Sequence, residues 1–458
     1  MPGEANDMHG PPVWGANMSA AIAYAQISES RVTDMVTRIL AAWYKVKQDQ
    51  GYPEVSFNSF HKEKSKFVNV QGDHANHIRE VGAASSILLK NSNGILPLKD
   101  NIKIAVLGSD AGPGNSTNNA ASCPDHACSD GTIAIGWGSG TANFPYIITP
   151  LDGIINRSRI SNSTVVSLLK DTDMENAHLI AKSADVVVVF VSSNSGEGHL
   201  VVQTNIGDRN DLNLWNNGDA LIKEASAANK NVVVVIHGPG AVNMPWINDP
   251  NVVAVIHALF PGQESGNAIA DVLFGDVNPS GRLPFTINEK VNDYPAIIKD
   301  GLKPNAPLHP QVNYTEGLLV DYRYNDAKNV TPLFEFGFGL SYTTFVYSDF
   351  SMGTTMDKSQ DVSVEFQISN TGSRDGHEIA QLYLGFPASA GEPPKQLKDF
   401  DRKMIQKGQS QKVTLVVKRK EMQIWDVVSQ SWIIPQGTFT VFIGSSSRNI
   451  KWTGEFLA

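Results

Sequence analysis

The spacing of apolar residues shifts along the chain, and each spacing predicts a different kind of element. Residues 1–48 read as helical. Val32, Met35, Val36, Ile39, Leu40 and Trp43 recur three or four positions apart and form one apolar stripe. Ser28 or Ser30 can cap its start. Such a stripe packs against something, yet no strand precedes it in this sequence. Residues 49–74 are polar and patternless, as in a linker. A second helix is expected from about Ala75 to Lys90, then a turn at Asn93-Gly94.

From there the pattern becomes a βα series. Short β-rich runs occur at Ile102–Leu107, Val165–Leu169, Val186–Val191, Val232–Ile236 and Val252–Phe260. Several are nearly unbroken valine and isoleucine, which marks strands buried on both faces. Helical stretches such as Asp219–Asn229 separate the later runs, so a mostly parallel sheet with helices on both sides is predicted. Near the end the period falls to two. Val362, Val364, Phe366 and Ile368 alternate with polar residues, Asn370-Thr371-Gly372 marks a turn, and further runs follow at Ile379–Leu384, Val413–Val417 and Phe439–Ile443. This predicts an antiparallel β-sandwich of about 110 residues.

At 458 residues the chain is too long for one core and implies two or three domains. Its 41% hydrophobic and 18% charged content is that of a soluble globular protein. With a net charge of −9 and no basic run, a nucleic-acid partner is not expected. No apolar run reaches the roughly 18 residues of a membrane helix, so no membrane partner is expected. The two cysteines, Cys123 and Cys128, flank a short loop. A local disulfide is the favoured reading; two free thiols, or a metal clip with His126, are the alternatives. Asn17, Asn115, Asn156, Asn162, Asn313 and Asn329 begin Asn-X-Ser/Thr triplets. Together with a disulfide they favour a secreted glycoprotein. The first ten residues, MPGEANDMHG, have neither the basic start nor the apolar core of a signal peptide.

The run Pro261–Thr286, PGQESGNAIADVLFGDVNPSGRLPFT, ends one kind of structure and begins another. Ile269, Val272 and Leu273 share a helix face, Gly275 is placed to stop the helix in a left-handed conformation, and Asn278-Pro279-Ser280-Gly281 reads as a tight turn. The whole run closely resembles the second domain of glycoside hydrolase family 3, whose best-known members are β-glucosidases. The resemblance extends over essentially the whole chain. It implies an (α/β)6 sandwich at 75–300, a connecting segment at 301–344 containing EGLLVDYRYND and FEFGFGLSYT, and a fibronectin type III-like domain at 345–458. Trp137–Pro150, with CPDHACSDGT before it, is similar to fungal β-glucosidases specifically.

Glu197 is the candidate catalytic residue. It lies in SSNSGEGH, just past the Val186–Val191 strand, at the edge where open α/β sheets present ligand groups. Gly196 and Gly198 let the backbone turn sharply there. The fungal members carry Ser-Gly-Glu-Gly at this place, so the resemblance makes Glu197 the general acid/base of a retaining glycosidase. His199 stands where those members usually have a Tyr lining the leaving-group sugar, and is the substrate-binding candidate. An imidazole offers less stacking area and carries charge near its ordinary pKa of about 6.5; a plain surface histidine is the other reading. Asp208-Arg209 is expected to be a loop-stabilising ion pair, and Glu264 and Glu316 to be structural. The Gly108–Gly114 loop lacks the ending of a phosphate-binding loop, and His237-Gly-Pro-Gly240 lacks an accompanying nucleophile elbow.

The family's nucleophile is an Asp in a Ser-Asp-Trp-like loop of a first-domain (β/α)8 barrel, and no Ser-Asp-Trp occurs here. The resemblance therefore reads residues 1–48 as the last helices of that barrel and the chain as an N-terminally truncated β-glucosidase, inactive alone. It implies an oligosaccharide or glucoside substrate and no cofactor. With the stripe Val32–Trp43 unpartnered, a homo-oligomer is possible. A non-catalytic carbohydrate-binding protein is the alternative of a different class, and a β-xylosidase or β-N-acetylglucosaminidase the lesser one.

Overall fold

The computed structural model describes residues 14–51, 53, 63, 65, 66, 68–114, 131–136, 144–196, 201, 202, 205, 206, 208–296, 311–353 and 361–458. The chain divides into two compact units, 1–72 and 73–458.

In the first unit the expected helical stretch is two helices, α1 (Ala16–Ala23) and α2 (Glu29–Lys45). Ser28 caps α2, its side chain accepting from the Arg31 N–H at 3.3 Å. Asp34 pairs with both Arg31 and Arg38 on the polar face. No residue of α2 is buried, and Ile39 is 68% exposed.

The second unit begins with α3 (His74–Ser85), β1 (Ile87–Asn91), β2 (Lys103–Leu107), α4 (Pro150–Ile160), β3 (Thr164–Leu168), α5 (Met174–Lys182) and β4 (Val186–Ser192). The two-residue strands β5 (Val201–Val202) and β6 (Asn205–Ile206) follow, then α6 (Gly218–Ala228), β7 (Val232–His237), β8 (Val252–Leu259), α7 (Ser265–Phe274) and α8 (Tyr322–Lys328). Six strands form one sheet in the order β1-β8-β7-β4-β2-β3, parallel except for β1 at the edge. Consecutive residues of β4 face opposite ways. Val187, Val189 and Val191 join the core under α5 and α6, while Val186, Val188 and Phe190 join the core under α3, α4 and α7. A strand covered on both sides needs apolar residues at every position, which is why β4 is nearly all valine. The α/β sandwich expected from the resemblance is therefore present.

Two local expectations need correction. The helix expected to reach Lys90 stops at Ser85, and Ile87–Asn91 is an antiparallel edge strand on β8. Ile87 and Leu89 point into one core and Leu88 into the other, so pairing with β8 decides the conformation over local propensity. Asn278–Gly281 is not a tight turn but an irregular run pressed against α3. A Cβ on Gly281 would lie 2.5 Å from the Ser85 carbonyl oxygen, so the glycine serves close approach. Asn278 instead accepts from Ser341 Oγ and the Tyr342 N–H and donates to the Asp375 carbonyl, joining the layers. Gly275 does stop α7 left-handed, at φ 77°.

The last part is a β-sandwich. β9 (Phe345–Met352), β10 (Val362–Asn370) and β13 (Ser410–Val417) form one sheet, ordered β13-β10-β9. β11 (Gly376–Gly385), β12 (Gln396–Ile405), β16 (Thr438–Gly444) and β17 (Ile450–Leu457) form the other, ordered β12-β11-β16-β17. A separate hairpin joins β14 (Ile424–Asp426) to β15 (Ser431–Ile433). Val362, Val364, Phe366 and Ile368 face inward, as their alternation predicts.

Candidate active site

β4 and β7 end side by side at the carboxyl edge of the sheet. The Ser193 N–H donates to the His237 carbonyl and the Trp215 N–H donates to the Ser192 carbonyl, each near 3.0 Å. Ser193 and Asn194 are buried. Asn194 Nδ2 donates to the Ile135 carbonyl, while its Oδ1 accepts from the Ser195 N–H at 2.8 Å. Ser195 Oγ donates to Asp208 Oδ1 at 2.8 Å and accepts from the Arg209 N–H at 3.1 Å. The chain is thus held residue by residue as far as Ser195. Glu197 and His199 lie outside the described residues, as do Cys123, Cys128 and Asn115.

Asp208 and Arg209 do not form the expected mutual ion pair. Their side chains diverge, Asp208 to Ser195 and Arg209 to the Ala241 carbonyl at 2.8 Å and Ser193 Oγ at 3.3 Å. Arg209 therefore ties the loop after β4 to the loop after β7. Burial pushes its guanidinium pKa down, with Tyr294 and Asp211 opposing. Sequence reasoning missed this role because Arg209 and Ala241 meet only in the folded sheet.

A second unforeseen pair lies beneath. Asp110, from the glycine-containing loop after β2, stands 2.7 Å from His237 Nδ1, and both are buried. The other carboxylate oxygen accepts from the Ile133 N–H. Ser265 Oγ is 3.5 Å from His237 Nε2, but it is wholly buried at the start of α7, so this Asp–His–Ser order has no access to a substrate. Its role is to hold three loops. The neighbouring His257 is neutral, its pKa lowered to about 4 by burial. Its Nε2 donates to the Gly240 carbonyl and its Nδ1 accepts from the Leu259 N–H.

Glu264, expected to be structural, is buried and accepts from the Tyr146 hydroxyl and from Asn267 Nδ2. Glu316 sits in a turn closed by the Leu319 N–H on its carbonyl. Among the described residues no three His, Cys, Asp or Glu side chains are grouped to hold a metal. Asn17, Asn156, Asn162, Asn313 and Asn329 are all exposed.

The glycosyl hydrolase family 3 C-terminal domain model matches residues 86–342, more than half of the chain. The chain belongs to glycoside hydrolase family 3. The fibronectin type III-like domain follows at 378–447, so the two family 3 domains stand in the expected order. Among family 3 relatives, the probable beta-glucosidase L of Aspergillus fumigatus is 44% identical over 479 residues, covering 100% of this chain and 63% of the relative. A beta-glucosidase of Pyricularia oryzae is 38% identical, covering 98% of this chain and 62% of the relative. The crystal structure of a beta-glucosidase from Chaetomella raphigera matches with a TM-score of 0.90 at 40% identity, covering 99% of this chain and 64% of the other. That of the beta-D-glucoside glucohydrolase of Trichoderma reesei matches at 0.88 and 42%, with the same coverage. This family 3 chain thus spans less than two thirds of the length of these relatives.

Proposed function

We propose that this family 3 chain carries the general acid/base of a retaining β-glucosidase, with Glu197 in that role. The substrate is a terminal β-D-glucosyl residue of an oligosaccharide, and no cofactor takes part. The supporting observation is the braced end of β4: Ser193, Asn194 and Ser195 are each tied to a different neighbour, and the next residue but one is Glu197. In a retaining glycosidase two carboxyl groups stand roughly 5–5.5 Å apart. Glu197, protonated, gives its proton to the glycosidic oxygen as that bond breaks, while the second carboxylate forms an ester with the sugar carbon. Glu197, now ionised, then takes a proton from the water that displaces the ester. The second carboxylate is an Asp outside these 458 residues, since no Ser-Asp-Trp occurs within them. Residues 1–48 are in this reading the end of the domain that bears it. His199 lines the leaving-group side, and the protein is a secreted glycoprotein.

The 458-residue chain alone is expected to turn over neither cellobiose nor an aryl glucoside. Extended by the part of the Aspergillus fumigatus relative that it does not span, it is expected to hydrolyse both. Glu197→Gln in the extended protein slows cellobiose hydrolysis by about 10²–10⁴-fold. Aryl glucosides with acidic leaving groups, which need no proton, are slowed far less in the glycosylation step. Undiminished cellobiose hydrolysis in that variant removes Glu197 from the role, and turnover by the chain alone removes the external nucleophile.

A further inference from the structure

A cavity of about 670 Å³ lies at the opposite end of the sheet from β4's carboxyl edge. Its walls are α3 and the end of α7 on one side, and Arg374, Asp375, the start of β11 and β12 on the other. It therefore opens in the crease between the α/β sandwich and the β-sandwich. Its volume is within the range of small-ligand sites.

Part of its polar lining is already paired. Arg79 grips Asp271 with two bonds of 2.6 Å, and Asp276 is held by Arg157. What remains is unusual in its balance. Among the described residues, the side chains of Glu80, Arg374 and His377 bond to none, although all three line this cavity. Among the described residues the Arg402 side chain bonds only Ser280 Oγ, at 3.1 and 3.2 Å, and the Asp375 carboxylate accepts one bond, from the Lys407 N–H. Two guanidiniums and two carboxylates thus face one space without joining each other, so their formal charges cancel. Desolvation lowers the pKa of Arg402 and His377. Glu80, Arg374, Asp375 and Arg402 are exposed and His377 is half-buried, so the groups are open to a ligand arriving from solvent.

That balance selects a class of ligand. An anion would be drawn by the arginines but repelled by Glu80 and Asp375. An apolar molecule would find only Val277, Met404 and two alanines. A sugar hydroxyl donates to a carboxylate and accepts from a guanidinium at once, and so satisfies both kinds of wall. We propose that this crease is a non-catalytic binding site for a neutral saccharide, a pyranose or short β-glucan oligomer, held between Glu80 on α3 and Arg374, His377 and Arg402 of the β-sandwich. Only the choice of a glucose-based sugar rests on the β-glucosidase reading. A ligand spanning the crease also resists separation of the two layers and raises the melting temperature.

The test is calorimetric titration of the 458-residue chain with cellobiose and with inorganic phosphate, alongside thermal unfolding. Cellobiose is expected to bind saturably and raise the melting temperature; phosphate is not. Arg402→Met and Glu80→Gln each weaken cellobiose binding by about tenfold. Glu80 is exposed, so its variant reports even where loss of Arg402 disturbs folding. Glu197→Gln is expected to bind cellobiose as the parent does, which separates this site from the candidate active site. Because the readout is binding, it stands or falls apart from turnover. The proposal is overturned by no saturable cellobiose binding, by binding that both crease variants leave unmoved, by binding lost in Glu197→Gln, or by phosphate displacing the sugar.

Discussion

Arg282 Nη2 stands 2.7 Å from Glu378 Oε2, with both side chains more than nine-tenths buried. Arg282 belongs to the segment leaving the α/β sandwich and Glu378 to β11, so this ion pair joins the two domains. The other Glu378 oxygen accepts from the Tyr347 hydroxyl at 2.8 Å. Burial, and then the Glu378 carboxylate, push the Tyr347 pKa well above its ordinary value, so the phenol stays a donor.

Removing one member of this pair leaves an uncompensated charge in a dry place. Glu378→Ala is expected to lose about 3–5 kcal/mol of stability in urea unfolding. The double change Arg282→Met with Glu378→Leu, which leaves no stranded charge, is expected to recover most of it. A loss under 1 kcal/mol in the single variant means that the domains are not joined through this pair.

Gly281→Ala tests the close approach behind α3. The added Cβ would meet two carbonyl oxygens, of Ser85 and Ser86, at 2.5 and 2.6 Å. Backbone cannot yield as a side-chain end can, so a loss of about 1–3 kcal/mol is expected. Gly353→Ala, where nothing lies within 4 Å, is the control and should stay within about 0.5 kcal/mol of the parent. Equal melting temperatures for the two variants would rule the contact out.

His257 makes stability depend on pH in a defined window. Its pKa falls from 6.5 to about 4 on folding. Between these values the unfolded chain binds the proton and the folded chain does not, so stability rises with pH. The contribution is complete above pH 6.5 and is lost as pH falls toward 4, amounting to about 3 kcal/mol. His257→Gln can still donate to the Gly240 carbonyl but does not titrate. Its stability is expected to vary less between pH 4 and 6.5, and an unchanged slope would refute the assignment.

Cys123 and Cys128 are expected to form a local disulfide when the protein is made in an oxidising compartment. Peptide mapping without reduction should recover both in one cross-linked species. Closing so short a loop stabilises by about 2 kcal/mol. Two alkylatable thiols in the native protein would contradict it.

Much of the scaffold is legible from residue order alone, because burial acts on each position separately. The valine run of β4 declares a strand covered on both faces, the alternation of β10 a strand covered on one, and Gly275 a left-handed helix end. The serines at 28 and 30 likewise announce the start of α2, and the fold chooses Ser28. The tertiary structure decided whatever depends on two distant segments meeting. Ile87–Asn91 continues a helical pattern locally, yet becomes a strand because β8 offers it hydrogen bonds and cores on both sides. β12, whose sequence QLKDFDRKMI is half charged, is a strand because β11 pairs with it. Gly281 reads as a turn residue until α3 is laid against it. Arg209, seemingly the partner of its neighbour Asp208, turns instead to Ala241, and Asp110 finds His237 across 127 positions. Local order reports how much water each residue leaves behind, and only the closed fold supplies the partner for each buried charge.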